Sequence, residues 1–163
     1  MDAITNSKDY LLYQQYLNEK GVFELSKEMK YWGNLPITSP FLIPLYNIFK
    51  KGMNFLDLGC GAGNVLRYAN NIGYTVKGIE FNLNLLKYTG EYETEGEDIR
   101  NLKESVYGNF DVIYSYKPIK EGFDDYLNKV INNMKTGSFI LTPDFHIENE
   151  KITLVDSFLN IKN

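Results

Sequence analysis

From Met53 onward, short apolar runs alternate with segments of helical period. Strands are expected at Asn54–Leu58, Thr75–Glu80, Glu91–Glu95, Phe110–Ser115 and Ser138–Thr142. Between and after them the apolar spacing predicts helices over Asn64–Asn71, Leu83–Tyr88, Ile99–Glu104 and Gly122–Met134. Such repetition builds a mostly parallel sheet with helices on both faces, a three-layer α/β sandwich. Right-handed crossovers then make the first and fourth strands neighbours, with their carboxyl ends opening on one crevice where ligands bind. After Thr142, Ile147–Glu148 and Ile152–Val155 are expected to form an abbreviated C-terminal hairpin around Asn149–Lys151.

The first third reads as helical. Ser7 caps a helix carrying Tyr10, Leu11, Tyr13, Tyr16 and Leu17, and Gly21 ends it. A second helix is expected over Val22–Tyr31. Ser39-Pro40, a cap followed by a first-position proline, opens a third through Phe41, Leu42, Leu45, Ile48 and Phe49 to Gly52. The Tyr10, Tyr13, Tyr16 row lies at helical spacing and reads as packing. The expected organisation is one domain over 1–163, with 1–52 a helical N-terminal cap and 53–163 the α/β core.

Candidate chemistry concentrates where the first strand ends. Phe55-Leu56-Asp57-Leu58 runs into Gly59, Gly61 and Gly63 at alternate positions, and a helical pattern opens at Asn64. Glycines let the backbone of such a turn approach a ligand, and the free amides and positive dipole end of the following helix face it. In the dinucleotide fingerprint the third glycine falls three residues after the second; here Asn64 takes that place. Asp57 is also an awkward neighbour for a pyrophosphate and suits a cationic ligand group instead. Glu80, closing the second strand about twenty residues after the glycines, stands where an acidic side chain meets ribose hydroxyls. Phe81 beside it offers a ring to an adenine face. Asp98 is placed either to accept from the adenine amine, with the Ile99 amide facing a ring nitrogen, or to cap the helix that follows.

These segments, Leu56-Asp57-Leu58-Gly59-Cys60-Gly61-Ala62-Gly63, Gly78-Ile79-Glu80, Glu97-Asp98-Ile99 and Phe110-Asp111-Val112-Ile113-Tyr114, occur in order. Together they resemble the class I S-adenosylmethionine-dependent methyltransferases over roughly Phe41 to Thr142. The resemblance implies a Rossmann-like fold with S-adenosylmethionine as cofactor. By it, the glycine loop (Gly59, Gly61, Gly63) with Asp57 lies under the methionine part, Glu80 holds the ribose, Asp98 and Ile99 hold the adenine, and residues from Tyr114 on border the sulfonium methyl. Full-length members usually place a helix and two further strands after the fifth strand, and here that helix is expected to be missing.

Methyl transfer from a sulfonium is an in-line displacement whose leaving group is already activated, so alignment and exclusion of water supply much of the rate. A general base is needed only where the acceptor arrives protonated. Members that methylate DNA bases or glutamine carry an Asn or Asp, two prolines and an aromatic residue after the fourth strand. Tyr114-Ser115-Tyr116-Lys117-Pro118 departs from that pattern. Tyr114 and Tyr116 are candidates either for the methyl channel or for the core, and Lys117 is expected at the surface. Cys60 has no histidine beside it in sequence and is a poor nucleophile. His146, the single histidine, reads as a loop residue, with a role as base or substrate ligand the lesser alternative. Thr38 is a candidate neighbour of the cofactor's carboxylate. No Cys/His spacing suggests a metal.

Composition narrows the partners. A net charge of −4, with Lys and Arg only in small groups, disfavours a large nucleic-acid substrate. One cysteine points to a reducing, cytoplasmic setting, no apolar run is long enough to cross a bilayer, and Met1–Asn6 lacks a signal-peptide layout. The acceptor is expected to be a small molecule or a protein side chain, with a homodimer over the exposed sheet edge left open. Two classes of function stand: an active methyltransferase, and a catalytically inactive cofactor-binding regulatory or partner protein. An NAD-dependent enzyme is a distant third.

Overall fold

The computed structural model describes residues 39–163. The helices expected from Ser7 and over Val22–Tyr31, with Tyr10, Tyr13, Tyr16 and Thr38, lie outside the described residues.

Helix α1 (Ser39–Ile48) is followed by β1 (Asn54–Leu58), α2 (Asn64–Ile72), β2 (Thr75–Ile79), a single turn α3 (Leu83–Leu86) and β3 (Glu93–Glu95). Two 3₁₀ segments (Ile99–Asn101 and Glu104–Asn109) lead to β4 (Val112–Ser115), α4 (Phe123–Asn133), β5 (Phe139–Leu141), β6 (Ile152–Asp156) and β7 (Leu159–Lys162). The seven strands form one sheet in the order β3-β2-β1-β4-β5-β7-β6. β3, β2, β1, β4 and β5 pair in parallel; β7 pairs antiparallel with both β5 and β6. β1 and β4 are neighbours, as right-handed crossovers require, with Asp57 opposite Tyr114 and Leu58 opposite Ser115.

Strand residues alternate between two cores. Leu56, Leu58, Ile113 and Ile140 face α4 and the 3₁₀ segments, where Phe123, Tyr126, Leu127, Val130 and Ile131 pack on them. Phe55, Val76, Val112, Tyr114 and Leu141 face α1 and α2, meeting Leu42, Leu45, Val65, Leu66 and Ala69. At the amino edge Asp111 ties three elements together. Its Oδ2 accepts from the Asn54 amide at 2.7 Å, and Oδ1 pairs with Lys135 at 2.7 Å.

Three expectations need correction. The third N-terminal helix stops at Ile48 rather than Gly52. The helix expected over Ile99–Glu104 is instead two short 3₁₀ segments, because Leu102 and Lys103 are extended (ψ 140° and 133°) and interrupt them. Ile147–Glu148 is no strand, and the hairpin joins β6 to β7. In place of a β5–β6 helix, residues 145–149 form an irregular strap beside α4, between turns at 143–144 and 150–151. Phe145 and Ile147 tuck into the α4 core, while Asp144, His146 and Glu148 face outward. The helix is missing as expected, and the chain ends in a hairpin, made by β6 and β7.

Candidate cofactor site at the β1–β4 switch point

The site starts with the bend after β1. Gly59, Gly61 and Gly63 all lie at positive φ (86°, 56° and 86°), where a side chain would be strained. Space is also short: a Cβ on Gly59 would stand 2.8 Å from Pro118 Cβ, and one on Gly63 3.3 Å from Thr89. Gly63, left-handed, precedes α2 without any side-chain cap, so the first-turn amides of the helix keep their donor capacity.

Sequence reasoning missed one residue that holds this bend. Arg67, fully buried, donates from Nη2 to Ala62 O at 2.9 Å and to Tyr88 O at 2.7 Å. It clamps the glycine turn to the segment after α3. The available signal was an arginine amid the apolar face Val65, Leu66, Ala69.

Two acidic side chains flank the bend. Glu80 is only 6% exposed, which excludes a freely solvated strand-end glutamate. Its Oε2 accepts from the Gly61 amide at 2.9 Å and its Oε1 from the Asn82 amide at 3.0 Å. A carboxylate has about four lone-pair positions, so acceptor capacity remains for a hydroxyl donor. Burial raises the Glu80 carboxyl above its usual range, while those backbone bonds and one from Phe81 work downward. Asp57 is 2% exposed and accepts no hydrogen bond among the described residues. Burial, then repulsion from Glu80, pushes its carboxyl well up. Neither carboxyl is ion-paired with a described Lys or Arg.

Tyr114 stands opposite Asp57 in the strand register. Its ring packs in the α1/α2 core, 6.2 Å from the Phe55 ring, and its hydroxyl is buried without a hydrogen-bond partner among the described residues. An unpaired buried hydroxyl costs about 1–3 kcal/mol, so this one is suited to a ligand that reaches it. The hollow thus carries two buried carboxyls and is floored by close backbone. These features fit a ligand carrying a sulfonium and an ammonium, as S-adenosylmethionine does.

The outer candidates are mixed. Phe81 is 54% exposed. Asp98 takes the capping role: Oδ1 accepts from the Arg100 amide at 2.9 Å, and the Arg100 guanidinium occupies both carboxylate oxygens. Those Arg100 hydrogen bonds hold the Asp98 carboxyl below its ordinary range. An adenine amine would share these oxygens with Arg100. Ile99 is buried behind Asp98. Burial and then Asp57 and Glu80 push the Cys60 thiol well up, leaving it an inert packing group. Lys117 lies at the surface, as expected, and pairs there with Asp144 at 2.9 Å. His146 is exposed, on the strap rather than in the crevice, its ring 4.8 Å from that of Phe158.

No protein-family profile matches this sequence, and no curated protein matches it significantly. Solved structures do match. A S-adenosylmethionine-dependent methyltransferase from Mesorhizobium loti is 22% identical, with a TM-score of 0.51 over 63% of this chain and 52% of that one. The plantazolicin methyltransferase BpumL, in complex with SAH, is 20% identical, with a TM-score of 0.52 over 86% of this chain and 55% of that one. The [4+2]-cyclase SpnF is 17% identical, with a TM-score of 0.53 over 69% of this chain and 48% of that one. The chain spans about half the length of these structures. Sheet order, switch-point bend and these neighbours agree: the chain has the Rossmann-like fold of the class I S-adenosylmethionine-dependent methyltransferases.

Proposed function

We propose that this chain binds S-adenosylmethionine at the carboxyl edge of β1 and β2 and transfers its methyl group to a small molecule or a protein side chain. The observation that carries the reading is the pair Asp57 and Glu80, two buried carboxyls beside the glycine bend, neither of them in an ion pair among the described residues. When bound, the cofactor supplies an electrophilic methyl on a sulfonium. The chain's own groups bind and orient it. Asp57 offers its carboxylate to the ammonium, Glu80 its remaining acceptor capacity to the ribose, and the first-turn amides of α2 their donors to the methionine carboxylate. Phe81 offers its exposed ring to the adenine, and Asp98 with the Ile99 amide offers an acceptor and a donor to its edge. Tyr114 sets its hydroxyl beside Asp57, on the methionine side.

A second reading is a cofactor-binding protein that transfers no methyl. Two observations favour it: Tyr114-Ser115-Tyr116-Lys117-Pro118 carries no amino-methylating tetrad, and the same fold serves a protein described as a [4+2]-cyclase. Fold alone does not fix the reaction. Calorimetric titration with S-adenosylmethionine, S-adenosylhomocysteine and NAD tests the shared part. Binding of NAD in preference to the other two overturns both readings. Release of S-adenosylhomocysteine against a panel of metabolites and peptides then separates them. Glu80→Ala is expected to weaken S-adenosylmethionine binding about tenfold or more, the worth of one charge-assisted bond. Unchanged affinity would remove Glu80 from the site.

A further inference from the structure

A second concavity lies away from the glycine bend. Between α4 and the strap, Asp124, Asn128, Phe145, His146, Ile147 and Glu148 line a cavity of about 470 Å³. That is within the roughly 300–1,000 Å³ of small-molecule sites. Its upper end is at the carboxyl edge of the sheet, where α4 begins and β5 ends, on the side of β4 away from β1.

The lining has a definite chemistry. Phe145 and Ile147 supply an apolar floor continuous with the core, and the Phe145 ring is held edge-on by Phe123 at 4.8 Å. Asn128 is fixed through its Oδ1, which accepts from Asn149 at 2.8 Å. Asp124 and Glu148 bring two carboxylates from opposite walls, and no Lys or Arg lines the cavity. Neither has an ion-pair partner among the described residues. Asp124 lies in the first turn of α4. An apolar floor under two like charges attracts an organic cation and rejects anions.

We propose that this cavity binds the ammonium of an organic amine, between Asp124 and Glu148, with the apolar part of the molecule on Phe145 and Ile147. Carboxylates stabilise the protonated amine, whose nitrogen has no lone pair to attack with. The cation is therefore a recognition handle, and the atom that receives a methyl group lies elsewhere on the same molecule. This last point alone rests on the methyltransferase reading above.

The test uses the full chain with 2-phenylethylammonium, its neutral isostere 2-phenylethanol, and phenylacetate. Binding is followed by calorimetry and by the ring protons of His146, the one histidine in the chain. The expected result is a preference of about tenfold or more for the ammonium over the alcohol, no binding of phenylacetate, and a shift of the His146 signals. Asp124→Asn with Glu148→Gln, both at exposed positions, is expected to abolish the preference while leaving the fold intact. Equal affinity for the three probes, no ammonium binding at about 10 mM, or a preference that survives the double substitution overturns the proposal. Failure of S-adenosylmethionine to bind in the parallel titration overturns the methyltransferase reading and the handle role, and leaves the amine site standing.

Discussion

Lys117 and Asp144, just past the ends of β4 and β5, form an ion pair at 2.9 Å, and both hold left-handed backbone, at φ 43° and 56°. The pair therefore joins two strained corners on the rim of the crevice. Asp and Asn tolerate this backbone region far better than most residues. The ion pair itself is solvent-exposed (33% and 64% of the side chains) and contributes little. Denaturant melts should thus place Asp144→Asn within about 0.5 kcal/mol of wild type and Asp144→Ala about 1 kcal/mol or more below it. If Asn proves as damaging as Ala, charge rather than backbone conformation governs this corner.

Stability should carry an unusual pH dependence. Asp57 and Glu80 have folded-state values above their unfolded ones, Asp57 through burial and then Glu80's charge, Glu80 through burial. Between the two values the folded chain binds more protons than the unfolded chain, so stability falls as pH rises through that interval. Asp98 and Asp111 work oppositely. The hydrogen bonds from Arg100 hold Asp98 low; burial lifts Asp111, but Lys135 and the Asn54 amide outweigh it. Their contribution is present above about pH 4 and lost below it. Thermal melts of the ligand-free protein should show stability declining above about pH 4, and Asp57→Asn should flatten that decline. An unchanged slope in the variant would mean Asp57 is already charged across the range.

Tyr114→Phe separates a packing role from a ligand role. Removing an unpartnered buried hydroxyl should leave the ligand-free protein as stable or up to about 1 kcal/mol more stable. The same change should weaken S-adenosylmethionine binding several-fold. Loss of stability with unchanged affinity would show that the hydroxyl serves the fold.

Gly78 is the mid-strand contact that seats the bend. A Cβ there would stand 2.6 Å from Cys60 Sγ and 2.8 Å from Leu66 Cδ1. Gly78→Ala is expected to destabilise by about 1–3 kcal/mol in denaturant. Cys60→Ala should rescue only part of this, since Leu66 and the Cys60 Cβ, at 2.9 Å, remain in place. Full rescue would show that the thiol alone sets the spacing.

The parts of the fold legible in the sequence are those where local pattern and tertiary role coincide. β1 is an apolar run closed by glycines, and its bounds match those expected. Glu80's place beside the bend was legible because an acidic residue closed a buried strand. Elsewhere the two diverged. β7 is Leu159-Asn160-Ile161-Lys162, with Asn160 and Lys162 buried, so its polar positions hid it. Lys162 is accommodated because its Nζ donates to Ile131 O at 2.7 Å, a partner far away in sequence. The strap carries a strand's alternation at Phe145 and Ile147 but packs on helix side chains, so the pattern suggested a hairpin that does not form. Asp98 was open between two roles because an acceptor before a helical pattern looks the same in either. Arg100, two residues on, decides what it does in the ligand-free chain.

The position of β7 between β5 and β6 also orders events during synthesis. β6 emerges from the ribosome before the strand that will join it to the sheet. Until residues 159–162 are free, β5 presents an unpaired edge and β6 has no neighbour. Open edges of that kind invite pairing with other chains. Nascent protein halted just before Leu159 should therefore aggregate more readily than the same chain extended past Lys162.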